Sequence, residues 1–131
     1  MTDIALLEKA RLARKMAYAP YSSFYVGAAV LAESGKVYTG ANMENASYPA
    51  GTCAERNAIG HAVSEGERKI LAVAVAGGPK DQESSYTPPC GICRQVMAEF
   101  GGPDMRVILE GDEGIPRVFT LSEILPQAFL L

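Results

Sequence analysis

Apolar residues recur along the chain at spacings that predict alternating helices and strands. Over residues 4–17 they fall at helical spacing, which is typical of an amphipathic helix that ends before Pro20. Two strand-like runs follow at 25–32 and 36–42, and the Glu33-Ser34-Gly35 turn between them indicates a hairpin. Beyond the hairpin the pattern predicts a helix at 52–63, a strand at 69–76, a loop at 77–89, a helix at about 90–100, strands at 105–110 and 115–120, and a short final helix.

These elements predict one α/β domain that spans residues 1–131. Helices that alternate with strands pack on both faces of a sheet, so we expect a three-layer α/β/α architecture with a mixed sheet of about five strands. Gly66 is a typical end for the second helix, and Thr120 with Glu123 has the spacing of a capping box before the last one. The length agrees with a single domain, since domains usually contain roughly 100–200 residues.

Composition and charge narrow the class of partner. The chain is 48% hydrophobic and 21% charged, an ordinary globular mixture that excludes a disordered protein or a coiled coil. The net charge of −3 argues against nucleic acid as a partner, because proteins that bind phosphate backbones usually carry basic surfaces. The apolar runs are far shorter than the roughly 20 residues of a membrane span, and no signal peptide is evident, so we expect a cytoplasmic protein without a membrane partner.

Three cysteines carry the first chemical signal. Cys53 lies in Thr52-Cys53-Ala54-Glu55, whereas Cys90 and Cys93 lie in Pro89-Cys90-Gly91-Ile92-Cys93, and each segment opens a predicted helix. The free N–H groups and the positive dipole end at a helix start lower the pKa of a thiol there. Three thiolates that meet at two helix starts predict a metal site, and a reducing compartment keeps such thiols available.

The donor set limits the choice of metal. Sulfur ligands select zinc or an iron–sulfur cluster, and a cluster usually takes four cysteines. A structural zinc also takes four protein ligands, whereas a catalytic zinc takes three and leaves a position for water. His61, the only histidine, would lie roughly 12 Å along the helix axis from Cys53, too far to share the metal. We favour one Zn²⁺ held by three cysteines and water, although a carboxylate could also close the site.

Glu55 follows Cys53 closely and is the candidate general acid–base group. Zinc lowers the pKa of bound water to about 7, and a nearby carboxylate can carry the released proton to a substrate. Arg56 and Arg94 adjoin the cysteine segments, and we expect their guanidinium groups to donate hydrogen bonds to sulfur and so withdraw negative charge. Two other interpretations stay open: Glu55 as the capping-box partner of Thr52, and C-x-x-C as a redox or structural zinc motif.

Several motifs in the right order give nearly the whole chain a resemblance to one family. Cys53-Ala54-Glu55 and Pro89-Cys90-Gly91-Ile92-Cys93 resemble the signature of zinc-dependent deaminases. The remaining motifs resemble cytidine deaminase in particular. They are Tyr18-Ala19-Pro20-Tyr21-Ser22, Phe24, Val26-Gly27-Ala28-Ala29, Asn42-Met43-Glu44-Asn45-Ala46-Ser47-Tyr48, Cys90-Gly91-Ile92-Cys93-Arg94-Gln95 and Leu125-Pro126-Gln127-Ala128-Phe129.

The resemblance implies hydrolytic deamination of cytidine and 2′-deoxycytidine to uridine and 2′-deoxyuridine with release of ammonia, in pyrimidine salvage. It implies that the three cysteines bind one zinc ion per subunit, that zinc hydroxide attacks C4 of the base, and that Glu55 moves protons to N3 and to the leaving amine. The residues implied to contact the nucleoside are Phe24, Asn42, Glu44, Tyr48, Ala54 and Phe129. Asn42 and Glu44 would bind the ribose hydroxyls, and free cytosine would leave Glu44 buried and unpaired.

Quaternary structure is also implied, because short single-domain members with three cysteines are homotetramers. Phe129 would then stack on the base bound in a neighbouring subunit. Two other classes of function stay open. One is a deaminase of the same fold that acts on blasticidin S, guanine or a nucleic-acid base, which the acidic charge and segment 42–48 disfavour. The other is a non-enzymatic interaction domain stapled by zinc, in which Glu55 only caps a helix.

Overall fold

Five strands form one sheet in the computed structural model, which describes residues 1–131. They are β1 (Phe24–Ala32), β2 (Val37–Ala41), β3 (Ile70–Pro79), β4 (Arg106–Glu110) and β5 (Pro116–Thr120). The order across the sheet is β2-β1-β3-β4-β5, in which β3 and β4 run parallel and all other neighbours run antiparallel. The predicted mixed sheet is therefore confirmed.

Four helices cover the two faces of this sheet. They are α1 (Asp3–Arg14), α2 (Ala54–Ser64), α3 (Gly91–Phe100) and α4 (Leu121–Ile124). Leu6 and Leu7 of α1 pack over the alanines of β3 on one face, whereas Val73 and Val75 of β3 share the other face with Met97 of α3. Successive side chains of a strand point to opposite faces, so the apolar run in β3 fills both cores and the predicted three-layer architecture is confirmed.

The first helix is shorter than the predicted 4–17. It ends at Arg14, and the next three residues continue in tighter turns, with each N–H bonded to the carbonyl three residues back. The Arg14 guanidinium donates hydrogen bonds to the carbonyl oxygens of Tyr25 (2.8 Å), Pro79 (2.8 Å) and Gln82 (2.7 Å). These three bonds attach the end of the helix to β1, to the last residue of β3 and to the segment that follows β3.

The predicted loop at 77–89 is wrong in its first three residues. Gly77, Gly78 and Pro79 extend β3, because they continue its antiparallel register against β1 as far as Phe24. Two glycines and a proline in sequence resemble a turn, yet a Cβ atom at Gly77 would lie 2.9 Å from the side chain of Thr87. The glycine is needed here for close approach between segments rather than for a turn.

Gly40 sets how closely β2 approaches α2. A Cβ atom added at Gly40 would lie 2.4 Å from the Ala58 nitrogen and 2.8 Å from the Ala54 carbonyl oxygen. Glycine permits this contact between two backbones. The consequence reaches the site described below, because the first turn of α2 carries Glu55 and follows Cys53 directly.

Glu110 at the end of β4 forms a buried ion pair away from the cysteines. Its carboxylate is 3% exposed and accepts hydrogen bonds from Arg11 Nε (2.8 Å), from a second nitrogen of the same guanidinium (2.6 Å) and from the Ser84 hydroxyl. Burial alone would raise the pKa of Glu110, but these donors outweigh it and the pKa is lowered. The pair joins α1 to the end of β4.

The last helix begins as the capping-box spacing predicts. The Glu123 carboxylate accepts a hydrogen bond from the Thr120 N–H at 2.8 Å, and both halves of the box are present. Residues beyond α4 have no regular secondary structure. No helix in the structure combines the length and the apolar character that crossing a membrane requires.

Candidate metal centre and active site

The three cysteines converge where the starts of α2 and α3 meet. Cys53 is the N-cap residue of α2, Cys90 is the N-cap residue of α3, and Cys93 lies in the first turn of α3. The three sulfur atoms lie within 4.8 Å of one another, and the Sγ atoms of Cys53 and Cys90 are 3.9 Å apart. Tetrahedral zinc with Zn–S bonds of about 2.3 Å separates its sulfurs by about 3.8 Å, so this donor set fits zinc.

Histidine takes no part in this group. His61 is exposed near the end of α2, where its ring meets the edge of Tyr38 and its Nδ1 lies 3.4 Å from the Thr39 carbonyl oxygen. The prediction that helix geometry separates His61 from the cysteines is confirmed. Three ligands in the group, rather than four, are the number that a catalytic zinc site uses.

Arg56 supplies positive charge to the sulfurs, as predicted. Its guanidinium donates a hydrogen bond to Cys53 Sγ at 3.5 Å. Hydrogen bonds from the Cys93 thiol and from Arg56 lower the pKa of Cys53 to about 5, and the same bond to Cys53 raises the pKa of Cys93. The buried Arg56 Nε has no acceptor within the protein, which also fits a site that holds negative charge.

Arg94 acts differently, and the expectation that it bonds to sulfur is wrong. Its Nε donates to the Pro89 carbonyl oxygen at 2.8 Å, and its NH1 donates to the Ile124 carbonyl oxygen at 2.7 Å. The side chain reaches back past the helix start instead of toward the thiols. Arg94 therefore fixes the backbone just before Cys90 and joins it to the end of α4.

Glu55 is the second buried carboxylic acid, 4% exposed in the first turn of α2. Burial, followed by the negative charge of Cys53, raises the pKa of Glu55 to about 7. A carboxyl group with a pKa near neutral pH can both accept and donate a proton there. The capping-box alternative is wrong, because Cys53 is the N-cap residue, no side chain caps α2, and the Thr52 hydroxyl points to the Ala50 carbonyl oxygen at 3.5 Å.

A cleft of about 320 Å³ contains two of the predicted substrate residues, Glu44 and Tyr48. The other lining residues are Tyr21, Ser22, Asn45 and Gly51. Reciprocal backbone hydrogen bonds between Met43 and Thr52, at 3.0 and 2.9 Å, hold this segment beside the residue that precedes Cys53. Tyr21 and Ser22 belong to the motif Tyr18-Ala19-Pro20-Tyr21-Ser22, but nothing in their local pattern identifies them as lining residues.

The Glu44 carboxylate has hydrogen-bond partners within its own chain. One carboxylate oxygen accepts from the backbone N–H groups of Tyr21 (2.9 Å) and Ser22 (3.1 Å), and the other accepts from the Ser22 hydroxyl. The Ser22 hydroxyl, helped by these two N–H groups, lowers the pKa of Glu44, so the group is ionised at neutral pH. The expected penalty from an unpaired Glu44 is therefore wrong, because three donors satisfy the carboxylate without a sugar.

The cleft does not include three of the predicted substrate residues, Asn42, Phe24 and Ala54. The Asn42 side-chain oxygen accepts from the Val26 N–H at 2.9 Å, and its nitrogen donates to the Phe24 carbonyl oxygen at 2.9 Å. The side-chain amide of Asn42 has a second N–H that neither of these two hydrogen bonds uses. Phe24 begins β1 with a partly exposed ring, and Ala54 is fully buried between Cys53 and Glu55.

Phe129 does not line the cleft of its own chain. Its side chain is 69% exposed, and its carbonyl oxygen accepts a hydrogen bond from the Gln95 side chain at 2.8 Å. Tyr48, also implied as a substrate contact, is 76% exposed at the rim of the cleft. Both aromatic rings face outward from the subunit.

The fold and the three-cysteine group define a zinc-binding deaminase, and comparison with known proteins narrows the class. The model of the cytidine and deoxycytidylate deaminase zinc-binding region matches residues 1–109. The chain belongs to this family, and the resemblance to cytidine deaminase seen in its motifs is confirmed. It is 49% identical over 124 residues to a cytidine deaminase of Halalkalibacterium halodurans, covering 95% of this chain and 91% of that protein.

Solved structures agree with this assignment. The crystal structure of a cytidine deaminase from Burkholderia pseudomallei is similar, with a TM-score of 0.88 and 46% identity over 98% of this chain and all of that one. A cytidine deaminase structure from Mycobacterium tuberculosis has a TM-score of 0.81 and 39% identity over 97% of this chain and 96% of that one. The fold and the metal-binding region are therefore those of the family.

Proposed function

We propose that the protein deaminates cytidine and 2′-deoxycytidine to uridine and 2′-deoxyuridine, with water consumed and ammonia released. The observation that carries this proposal is the buried Glu55, with a pKa near 7, beside three sulfurs spaced to hold zinc. Curated relatives at 49% and 46% identity are cytidine deaminases, and this likeness supports the choice of substrate.

Cys53, Cys90 and Cys93 would hold the metal. Zinc bound there supplies Lewis acidity that favours deprotonation of water at neutral pH. Arg56 offsets part of the negative charge of the thiolates through its hydrogen bond to Cys53, and this keeps the site from becoming too electron-rich. The start of two helices at the same point adds positive dipole ends that favour thiolate over thiol.

Glu55 moves the protons of the reaction. Its carboxylate accepts a proton from the attacking water and donates it to N3 of the base, while the oxygen bonds to C4. The second proton of the water goes to the exocyclic amine, and ammonia leaves as the bond between C4 and the amine nitrogen breaks. A pKa of about 7 suits both halves of this cycle, because the group gains and loses a proton with little free-energy change.

The cleft lined by Glu44 and Tyr48 would bind the ribose. The unpartnered N–H of Asn42 can donate to a sugar hydroxyl, and the Glu44 carboxylate can accept from one in addition to its present donors. The resemblance to the family assigns Phe24 and Ala54 to the base. Neither residue lines the cleft, whereas Tyr48 would lie at its rim. These contacts need a sugar as well as a base, so we expect nucleosides to be better substrates than free cytosine.

Charge in the cleft favours a nucleoside over a nucleotide. The lining contains the ionised Glu44 and no lysine or arginine, so a 5′-phosphate would meet a like charge without a compensating cation. The family includes deoxycytidylate deaminases, which makes this distinction necessary. We therefore propose that cytidine 5′-phosphates are poor substrates.

The active form would be a homotetramer. Phe129 and Tyr48 expose apolar rings that a neighbouring subunit could use, and Phe129 would stack on the base bound next door. We place the reaction in pyrimidine salvage, and in the cytoplasm because a reducing compartment keeps three ligand cysteines available to the metal.

Spectrophotometry tests the proposed activity directly. Purified protein should remove the ultraviolet absorbance band of cytidine and release one ammonia per nucleoside, and a zinc chelator should abolish both. Adding Zn²⁺ back should restore turnover, whereas Mg²⁺ should not, because thiolates select soft metals. Protein that contains one zinc per chain yet leaves cytidine and deoxycytidine unchanged would refute the proposed function.

A further inference from the structure

The end of the chain is attached to the rest of the protein by one hydrogen bond. Residues 126–131 follow α4 without regular secondary structure and make no backbone–backbone hydrogen bonds. Their one hydrogen bond runs from Gln95 Nε2 to the Phe129 carbonyl oxygen over 2.8 Å. The position of this tail therefore depends on a single side chain outside it, together with apolar packing.

The attachment comes from the helix that carries two of the metal ligands. Gln95 lies in α3 shortly after Cys93, and the preceding residue, Arg94, holds the Ile124 carbonyl oxygen at the end of α4. The two donors thus bind the C-terminal segment at two points from adjacent positions of one helix. Since Cys90 caps the same helix, the metal centre and the tail share one rigid support.

We propose that Gln95 is a positioning residue that fastens the Phe129 backbone to α3 and so sets the direction in which the Phe129 ring leaves the subunit. With the backbone held at the carbonyl, only the two side-chain torsions of the ring remain to be ordered. A detached tail would also have to order its backbone when substrate binds, which costs affinity. The inference rests on the proposed function, in which Phe129 contacts the base in a neighbouring subunit.

Gln95→Glu removes this bond, because glutamate has nearly the same shape but lacks the donating amide. A net hydrogen bond corresponds to a factor between about two and ten. We expect KM for cytidine to rise by about that factor, with kcat and zinc content unchanged. Glu99→Gln is the matched control, since Glu99 is an exposed residue one turn further along α3 and should leave all three quantities unchanged.

A double variant tests whether Gln95 acts through Phe129. Phe129→Ala should itself raise KM, and Gln95→Glu combined with Phe129→Ala should raise it no further, because positioning an absent ring has no effect. Additive increases in KM would overturn the proposal, since Gln95 would then act elsewhere. An unchanged KM in Phe129→Ala would refute the base contact in the proposed function and, with it, the role of Gln95 in catalysis.

Digestion of the tail tests the attachment without any reference to activity. Carboxypeptidase removes residues from the C-terminus in proportion to the population of detached tail, and mass spectrometry follows their release. Gln95→Glu should accelerate the loss of residues 129–131 by about two-fold to ten-fold, whereas Glu99→Gln should digest like the unchanged protein. Equal digestion of Gln95→Glu and the unchanged protein would overturn the proposal even if KM had changed.

Discussion

Replacing Glu55 with glutamine separates its chemical role from its structural one. The substitution Glu55→Gln changes one oxygen to an amide nitrogen, keeps the length of the side chain and removes its ability to exchange a proton. The side chain is 4% exposed in the first turn of α2, so water has little room to replace it as a proton carrier. Turnover should fall, while fold and metal binding should persist.

The expected magnitude follows from the number of proton transfers assigned to this group. One positioned proton transfer contributes typically 10²–10⁴-fold to a rate, and a pKa of about 7 places Glu55 where such catalysis is efficient. Because Glu55 both takes a proton from water and gives it to N3, we expect the upper part of this range. A loss of about 10⁴ in kcat corresponds to about 5.5 kcal/mol of activation free energy.

Initial rates with cytidine, zinc content per chain and the thermal midpoint together decide the outcome. Glu65→Gln is the matched control, because Glu65 is an exposed glutamate at the other end of α2. Turnover of Glu55→Gln within tenfold of the unchanged protein, at full zinc content, would refute the proton-transfer assignment. Loss of zinc from Glu55→Gln would also contradict it, since the role would then be structural.

Three further predictions concern stability and assembly. Glu110→Gln should lower the free energy of unfolding by about 2–3 kcal/mol at neutral pH. This is somewhat less than the loss expected when a fully buried ion pair is broken, because the Arg11 guanidinium is partly exposed. The folded-state pKa of Glu110 is lowered, so its contribution to stability is present above the ordinary carboxyl pKa of about 4.3 and is lost as pH falls through the folded-state pKa. In urea unfolding, the difference in stability between Glu110→Gln and the unchanged protein should therefore vanish in acid. A difference that does not depend on pH would contradict this prediction. Gly40→Ala should lower the free energy of unfolding by about 1–3 kcal/mol through overpacking between β2 and α2, and should reduce zinc content. Gly60→Ala is the control on an open part of α2 and should raise the free energy of unfolding by roughly 0.5–1 kcal/mol. Equal thermal midpoints for the two variants would refute the close approach of β2 to α2. Mixing Phe129→Ala subunits with Glu55→Gln subunits should produce some sites with the KM of the unchanged protein, a value that neither variant shows alone. Such sites combine an intact Glu55 with an intact Phe129 from a neighbouring subunit. A mixture that keeps the raised KM of Phe129→Ala after subunit exchange would argue against a shared site.

Local signals in the sequence were sufficient for the order of elements and for the metal ligands. Hydrophobic patterning and turn residues located the five strands and the first three helices, and the capping-box spacing of Thr120 and Glu123 located α4. These signals act over a few residues, so tertiary contacts do not erase them. The cysteines were identified for a similar reason. The helix itself favours the thiolate form of a cysteine at its start, so the sequence predicts Cys53, Cys90 and Cys93 as metal ligands without any knowledge of the distances between them.

Boundaries between elements were less predictable. The turn-like Gly77-Gly78-Pro79 belongs to β3, because pairing with β1 and contact with Thr87 decide its conformation. The end of α1 is likewise held at Arg14 by carbonyl groups that lie far along the chain. Local propensity does not reveal which distant segments β3 and Arg14 contact.

Only the tertiary structure decided which groups meet at the site. The sequence predicts a hydrogen bond from Arg94 to a cysteine sulfur, but its guanidinium donates to the Ile124 carbonyl oxygen, thirty residues away in sequence. The resemblance predicts that Glu44 lacks a hydrogen-bond partner unless a sugar binds, but the Ser22 N–H and hydroxyl both donate to its carboxylate. The sequence by itself determined the elements and the metal-ligand chemistry, because periodicity and helix starts act over a few residues. Hydrogen-bond partners and the raised pKa of Glu55 depend on burial and on distant segments, so folding alone sets them.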